Sequence, residues 1–353
     1  MGVLFLSLLD ILPRLCYNEV LPPYFDFAFR KETAMPTPKI IFDTDIGWDC
    51  DDAGALGLLH RLCDMGEAEL LATVHCYVTP YVAGCLDAIN TYYGRPVPVG
   101  LNYTLPRNNP DTYAKALCET FPNRYPASVI GTPDGPADSL ALMRRLLSEA
   151  EDGSVTIVTV GDQANLARLV TSEADEYSPL NGIDLITRKV ARTVVMGGRF
   201  YEGWPMVIYS DNINNAGPVT TEWNIFDHIP AAQTVASLWP GELVYSSTEI
   251  GTYIVTMKGW KGETAPHDPV AVAYGIHNGG VGRSSWDHTA VLEAVRPNTY
   301  WNYRPWGRVS VDDKGITSHA ITVDGAGKQT FLLPRVDYTA VADVIDDIMG
   351  RME

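Results

Sequence analysis

Five aspartates crowd into a short stretch of the chain, between an apolar segment and a segment with helical spacing. The stretch Lys39–His60 reads KIIFDTDIGWDCDDAGALGLLH. Its acidic residues are Asp43, Asp45, Asp49, Asp51 and Asp52. Carboxylates held this close raise each other's pKa and destabilise a fold unless a cation lies among them. A hard divalent ion with oxygen ligands, Ca²⁺ or Mg²⁺, would resolve the repulsion, so the pattern predicts a metal site.

A simpler interpretation of part of this pattern is helix stabilisation. Asp51 and Asp52 would lie at a helix N-terminus, where negative charge contributes about 0.3–1 kcal/mol. That interpretation does not explain Asp43 and Asp45, which come at the end of a strand. Strand ends are a common place for ligand sites in open α/β sheets, so the metal site is favoured.

Short apolar runs and amphipathic runs alternate along the rest of the chain. The strand candidates are Ile40–Asp43, Leu70–His75, Val155–Val160, Thr193–Met196 and Leu243–Ser246. The helix candidates are Asp52–Cys63, Val82–Tyr93, Asp138–Ala150, Ala164–Thr171, Ala231–Leu238, Thr289–Val295 and Tyr338–Met349. Buried strands separated by amphipathic helices predict an α/β fold with a doubly wound, mostly parallel sheet flanked by helices.

The part of the chain before the last helix has a different pattern. Gly307–Val311, Ile316–His319 and Ala320–Val323 have the composition of short strands. Turn residues join these segments at Asp313-Lys314-Gly315. A second turn is expected at Asp324-Gly325. These segments predict a small antiparallel element near the C-terminus.

Composition limits the classes of partner. The 353-residue chain has a formal charge of −17, which argues against nucleic acid or an anionic membrane as a partner. No apolar run reaches the roughly 18 residues of a membrane span. The six cysteines form no CxxC pair, so a zinc ribbon is not expected and free thiols in a reducing compartment are. We therefore expect a cytoplasmic protein.

The first residues differ from the rest. Val3–Leu9 is apolar, but no basic residue precedes it and Asp10 interrupts it, which argues against a signal peptide. Residues 1–37 are therefore predicted to be a weakly ordered N-terminal extension, with the domain at residues 38–353. A secreted protein is the alternative.

The acidic stretch resembles a known family signature. Asp43-Thr44-Asp45-Ile46-Gly47, closed by Asp51-Asp52-Ala53, is similar to the DTDPGxDDA motif of the inosine–uridine-preferring nucleoside hydrolases, which are Ca²⁺-dependent N-ribohydrolases. Ile46 replaces the proline and the loop is two residues longer, as in a divergent branch with a DTDxGxDxDD pattern. Further similar segments follow in the family's order, at Val155–Leu169, Val194–Gly198, Glu222-Trp223-Asn224, Asp227 and Ala231-Ala232.

Two positions compete for the family's last metal-binding aspartate. His267-Asp268-Pro269 is similar to its H-D-P by letter, whereas Trp286-Asp287 fits by its position before Arg296-Pro297. We favour Asp287. The alternative interpretation of Asp268 is a helix N-cap with Pro269 at the first helical position.

The resemblance implies a role for each matched residue. Asp45 would bind Ca²⁺ and act as general base on a metal-bound water. The other implied metal ligands are Asp52, the backbone carbonyl of Val160, and Asp287. The implied substrate-binding residues are Asp51, Glu222 and Asn224 at ribose hydroxyls, Met196 near the sugar, and Trp286, which could stack on a base.

The group that protonates the leaving base is left open. Many family members have His before the last Asp, where this chain has Trp286. The alternative candidates are His288, His267, His75 and Tyr81. Participation of Asp49 in the metal site is also open.

The resemblance thus implies Ca²⁺-dependent hydrolysis of the N-glycosidic bond of a nucleoside or related riboside, as in purine or pyrimidine salvage, by a dimer or tetramer. One alternative is a non-catalytic, calcium-bound protein that binds a nucleoside or sugar. The other is a haloacid-dehalogenase-like phosphatase, because Asp43-Thr44-Asp45 is similar to its D-x-D. That family expects Thr or Val where Gly47 stands.

Overall fold

The computed structural model describes residues 37–107, 113–201, 221–323 and 326–350. The predicted N-terminal extension lies outside these ranges except for its last residue, and the predicted turn at Asp324-Gly325 lies outside them as well. Among the described residues, none of the helices combines the length and apolar character needed to cross a bilayer.

One large sheet forms the centre of the described structure. The strands are β1 Lys39–Thr44, β2 Glu69–His75, β3 Val99–Leu101, β4 Ala137–Asp138, β5 Val155–Thr159, β6 Val190–Met196, β7 Leu243–Ser246, β8 Val255–Thr256, β9 Arg283–Ser284, β10 Trp301–Tyr303, β11 Gly307–Val311, β12 Thr317–Ile321 and β13 Gln329–Pro334. Eleven of them form a sheet in the order β12-β11-β13-β7-β6-β5-β1-β2-β3-β4, with β10 paired to β13. All pairs from β13 to β4 are parallel, while β10, β11 and β12 are antiparallel additions.

Helices connect the parallel strands and cover the sheet. They are α1 Asp51–Asp64, α2 Val82–Tyr92, α3 Ala114–Thr120, α4 Ser139–Glu149, α5 Ala164–Val170, α6 Gly182–Lys189, α7 Trp223–Asp227, α8 Ile229–Leu238, α9 Thr248–Gly251, α10 Pro269–Asn278, α11 Trp286–Val295 and α12 Tyr338–Met349. Two buried apolar clusters lie on opposite sides of the sheet, because alternate residues of β1 belong to different clusters: Ile40 and Phe42 to one, Ile41 to the other. This is the predicted doubly wound, mostly parallel fold.

The position of β1 determines where a ligand site can form. β1 lies between β2 and β5, and the strand order reverses there, since β2 to β4 continue to one side and β5 to β7 to the other. Ile40, Ile41 and Phe42 are completely buried, and each such side chain contributes about 1.5–3 kcal/mol. The carboxyl ends of β1 and β5 therefore lie at a well-packed switch in strand order, the usual ligand position in open α/β sheets.

The predicted antiparallel element is present, with one correction. Ile316–His319 and Ala320–Val323 are not two strands, because Thr317–Ile321 runs through both as β12. No turn separates them, since His319 and Ala320 pair with the consecutive residues Val309 and Arg308 of β11. The element extends the main sheet through β13.

Candidate active site

Three buried aspartates meet where α1 and α11 begin. Carboxylate oxygens of Asp51, Asp52 and Asp287 all lie within 4.8 Å of one another. Burial, followed by the charges of neighbouring aspartates, raises the pKa of all three carboxyls well above the usual value. Buried like charges need protons or a cation to be stable, and oxygen donors suit a hard divalent ion. This acidic cluster could therefore hold a metal ion.

Local contacts orient the members of the cluster. The Thr44 hydroxyl at the end of β1 donates a hydrogen bond to Asp52, and it accepts one from the Ile46 N–H at 3.1 Å. The Asp287 N–H lies 3.4 Å from Asp51 Oδ2. The first turns of α1 and α11 are thus linked directly at the cluster.

Asp45 follows β1 and is half-buried beside this cluster. Burial, followed by the charges of Asp162 and Asp227, raises the pKa of its carboxyl to about 8, and Arg107 partly opposes the shift. A Cβ at Gly161, which follows β5, would lie 2.7 Å from the Asp45 backbone nitrogen, so only glycine permits this close approach. A carboxyl with a pKa near neutrality is suited to accept a proton in catalysis.

Asp43, the first aspartate of the stretch, is hydrogen-bonded to neighbouring side chains of the protein. Its carboxylate accepts hydrogen bonds from Asn165 Nδ2 at 2.8 Å and from Thr159 Oγ1 at 3.0 Å. It is completely buried, and burial raises its pKa to about 8. These bonds connect the end of β1 to the end of β5 and to α5.

The predicted carbonyl ligand and two predicted sugar contacts also lie together. Asn224 Nδ2 donates to the Val160 carbonyl at 2.7 Å and to the Met196 carbonyl at 3.2 Å. A carbonyl oxygen has two lone pairs, so the Val160 oxygen can accept this bond and still coordinate a cation. Asn224 thus joins the ends of β5 and β6.

Glu222 caps the short helix that carries Asn224. Its carboxylate accepts hydrogen bonds from the backbone N–H groups of Asn224 at 2.8 Å, Gly198 at 3.0 Å and Ile225 at 3.1 Å. Burial raises the pKa of Glu222 to about 7 despite these bonds. The side chain fixes the local backbone, and its predicted contact with a ribose hydroxyl stays a prediction.

Asp49 is not part of the acidic cluster. Arg283 Nε lies 3.0 and 3.1 Å from its two carboxylate oxygens, and Arg283 Nη2 donates to it as well. Burial opposes its ionisation, but the bonds and charge of Arg283 hold the pKa of Asp49 below its usual value. Asp49 thus forms an ion pair with the guanidinium of Arg283.

Trp286 is held on several sides by protein groups. Its indole N–H lies 3.1 Å from both the Thr248 carbonyl and the Thr252 hydroxyl, and the Arg283 guanidinium lies 5.0 Å from its ring centre. The guanidinium occupies part of the aromatic surface that the sequence analysis assigned to base stacking. That assignment stays a prediction.

The candidate histidines are not arranged as obvious acids. The two ring nitrogens of His75 lie 2.9 and 3.0 Å from the carbonyls of Tyr77 and Ile46, and burial lowers its pKa to about 4. Burial lowers the pKa of His288 to about 3. His267 is exposed.

The competing aspartate, Asp268, has the role that its alternative interpretation predicted. It is the N-cap of α10, accepting from Val270 N at 2.8 Å and Ala271 N at 3.4 Å. Pro269 is the first helical residue. The structure brings Asp287, and not Asp268, to Asp51 and Asp52.

Sequence reasoning missed a basic group on the other side of Asp45. Arg107 Nη2 donates to Asp162 at 2.8 Å, Nη1 donates to Asp227, and the guanidinium lies 4.7 Å from the ring centre of Tyr77. The Tyr77 hydroxyl lies 3.4 Å from the Asp45 carbonyl. Asp162 could have been noticed as a carboxylate just after a strand, but Arg107 carries no local signal.

The family assignment rests on nearly the whole of the described domain. The profile of the inosine-uridine preferring nucleoside hydrolases matches residues 40–343. The chain belongs to this family. No curated protein sequence matches it significantly.

Solved structures agree on the fold. An inosine-uridine preferring nucleoside hydrolase from Bacillus anthracis superposes with a TM-score of 0.63 at 19% identity, covering 89% of this chain and 100% of the other. A plant nucleoside hydrolase gives 0.62 at 18% identity, covering 90% and 100%. A purine-preferring ribonucleoside hydrolase from Gardnerella vaginalis gives 0.61 at 16% identity, covering 88% and 98%.

Membership of the family identifies the class of reaction as hydrolysis of an N-glycosidic bond. It replaces the haloacid-dehalogenase alternative, which rested only on the spacing of Asp43 and Asp45. An aspartate-rich site that could bind a metal stands where the sequence analysis expected one.

Proposed function

We propose that the protein hydrolyses the N-glycosidic bond of a nucleoside or related riboside, with Ca²⁺ held by Asp45, Asp52, Asp287 and the Val160 carbonyl. The observation that carries the proposal is the buried acidic cluster beside Asp45, at the reversal of strand order, in a member of this family.

The donor set fits Ca²⁺. The cluster offers carboxylate oxygens, and a calcium ion accepts about 6–8 oxygen ligands, which leaves room for ribose hydroxyls and water. When bound, the ion would orient water, lower its pKa and balance the charge of the cluster.

Asp45 is the proposed general base. Its carboxylate takes a proton from the attacking water, the water oxygen bonds to the anomeric carbon, and the electrons of the breaking C–N bond pass to the departing nucleobase, which leaves as its anion unless an acid protonates it. The ribose becomes cationic on the way, and anionic oxygens nearby stabilise that state. Asp51, Glu222 and Asn224 would bind ribose hydroxyls, with Met196 and Trp286 beside the substrate.

The decisive experiment measures cleavage of a nucleoside panel and of 4-nitrophenyl riboside, with Ca²⁺ and with chelator. We expect chelation to stop both reactions and Asp45→Asn to lower kcat by about 10²- to 10⁴-fold, the usual contribution of a positioned base. Asp152→Asn is the control, because Asp152 is exposed and forms surface ion pairs with Arg188 and Lys189.

Each outcome has a distinct meaning. Cleavage of the riboside alone would show that water activation works and that leaving-group activation serves a different substrate. Activity that survives chelation would refute the calcium proposal. Absence of cleavage with Ca²⁺ still bound would favour the non-catalytic binding protein.

Three finer expectations belong to the same proposal. The protein would work in the cytoplasm, in salvage of purines or pyrimidines, and as a dimer or tetramer. Its described cysteines, Cys50, Cys63, Cys76, Cys85 and Cys118, are free thiols, in agreement with a reducing compartment. Light scattering on the purified protein would determine its oligomeric state.

A further inference from the structure

A glycine on α1 allows an unusually close approach of α11. A Cβ built on Gly54 would lie 2.4 Å from His288 Nε2 and 2.6 Å from the Tyr274 hydroxyl oxygen. Real Cβ atoms are almost never closer than 3.0 Å to another heavy atom. The imidazole of His288 therefore occupies the space that any other residue at position 54 would fill.

Hydrogen bonds do not explain the position of this imidazole. His288 and Tyr274 are completely buried. Within the described part of the chain, neither ring nitrogen of His288 has a hydrogen-bond partner. The Tyr274 hydroxyl has none there either. Shape, rather than polar pairing, therefore fits His288 against α1.

The next residue along the chain makes this fit relevant to the site. Asp287 directly precedes His288, and its N–H lies 3.4 Å from Asp51 Oδ2, one turn before Gly54 on α1. A change in the separation of the two helices at Gly54 would thus move Asp287 relative to Asp51 and Asp52.

The other side of α11 is held to the sheet. Thr289 Oγ1 lies 2.7 Å from Ser246 Oγ at the end of β7, and Glu293 pairs with Arg192 of β6 at 3.1 Å. Both Ser246 and Glu293 are completely buried. With that side fixed, a clash at Gly54 would displace the first turn of α11, where Asp287 lies.

We propose that Gly54 and His288 are a steric pair that positions Asp287 for cation binding. Both are positioning residues, since neither is expected to touch the substrate. The inference rests on the proposed function for the identity of the cation. Its steric part concerns this chain's own packing and does not depend on the metal.

The test compares Gly54→Ala with Gly57→Ala. Both changes add one methyl group to the same helix and gain the same helix propensity. A Cβ on Gly57 would meet the flexible end of Met349 at 2.9 Å, and it would meet Tyr93 and Val270 at 3.1 Å. That control therefore crowds residues of α10 and α12 and the end of α2, and leaves α11 unaffected.

Calcium affinity is measured by titration calorimetry on each folded variant. We expect Gly54→Ala to weaken binding about 10- to 100-fold, the usual effect of losing support for a metal ligand. Gly57→Ala should bind Ca²⁺ as the unchanged protein does. Equal losses in both variants, or a folded Gly54→Ala variant with unchanged affinity, would overturn the inference.

A compensating variant separates positioning from general damage. In Gly54→Ala/His288→Ala the new methyl group can enter the space that the imidazole leaves, and Tyr274 can turn into the remainder. We expect the double variant to bind Ca²⁺ more tightly than Gly54→Ala. Failure of the second change to restore any affinity would contradict the steric pairing.

A second experiment adds the single variant His288→Ala and compares it with the unchanged protein, Gly54→Ala and the double variant by urea unfolding in the presence of chelator. A steric pair predicts that the effects of the two single changes on the unfolding midpoint are strongly non-additive in the double variant. If the unchanged protein binds no Ca²⁺, the proposed function fails. The unfolding series then still decides the pairing, because additive effects would refute it.

Discussion

Asp45 interacts electrostatically with two groups of carboxylates that differ in how their charge is balanced. On one side, Asp162 and Asp227 share the guanidinium of Arg107. On the other, no ion pair joins Asp52 or Asp287 to a basic side chain within the residues that the structure describes. The carboxylates of the first group thus have a basic partner within the protein. Asp52 and Asp287 have no such partner among the described residues, so their charge must be balanced by protons or by a cation, and this difference separates an ion-pair network from a cluster that could hold a metal ion.

The largest expected effect comes from removing a carboxylate of the second group. Asp287→Asn should weaken Ca²⁺ binding by more than about 100-fold, beyond the loss expected for an outer partner of a ligand. Without metal, the same variant should be more stable than the unchanged protein at pH 8, because one buried like charge is gone. Calorimetry and urea unfolding in chelator measure the two effects.

The prediction for Asp287→Asn depends on two opposite effects, a loss of Ca²⁺ affinity and a gain of metal-free stability. A variant that loses both affinity and metal-free stability would show that Asp287 is structural, like Asp162. Asp162→Asn is the matched change in the first group, and it should lose metal-free stability because the charge attraction to Arg107 is removed.

The pH dependence of stability should differ between the metal-free protein and the protein in Ca²⁺. Burial raises the pKa of both Asp43 and Asp45 to about 8, so the folded protein binds these protons more tightly than the unfolded chain does. In chelator, the free energy of unfolding should therefore fall as pH rises from about 4 to about 8.

Calcium should reduce this fall, because the ion binds the ionised carboxylates more tightly as pH rises. Urea unfolding at several pH values, with and without Ca²⁺, measures the difference. Identical pH profiles in the two series would show that no titrating carboxylate of the site binds the ion.

Removing the cation of the first group should destabilise the fold. Arg107→Met leaves the buried Asp162 and the partly buried Asp227 without their shared partner, and because breaking a fully buried ion pair costs about 3–5 kcal/mol, this change should cost up to about 3 kcal/mol. Arg188→Met is the control, since its pair with Asp152 is exposed and worth about 0–1 kcal/mol. Similar unfolding curves for the two variants would contradict the structural role of Arg107.

The smallest effect is expected at the aspartate that competes with Asp287 in sequence. Asp268→Ala removes the N-cap of α10 and should cost about 1 kcal/mol of stability. Calcium affinity should not change, because Asp268 is not a member of the acidic cluster. A loss of affinity in calorimetry would reopen the choice between these two aspartates.

The sequence predicted the regular parts of the fold well. β1, β2, β5, β6 and β7 are largely apolar strands of four to seven residues, and all five were expected. β3 and β4 have three and two residues, too few to show any period. β13 was missed because its place is determined by pairing with β7, a contact between distant segments that no local pattern reveals.

The site divides in the same way. Asp45, Asp51 and Asp52 were visible as one acidic stretch, and Asp287 was found through the resemblance. Arg107 and Arg283 were not, although they pair with Asp162 and Asp49 close to the site, because these partners are 55 and 234 positions away along the chain. An ion pair between such distant residues depends on the finished fold.

The contact between Asp287 and Asp51 has a consequence for synthesis of the protein. These residues are 236 positions apart, and α11 must pack on α1 before the acidic cluster exists. A chain emerging from the ribosome can form its first strands and helices early, since domains begin to fold from the N-terminal side. It cannot assemble this cluster until the segment that carries Asp287 has left the exit tunnel, so the three carboxylates meet only after at least 236 further residues have been added beyond Asp51.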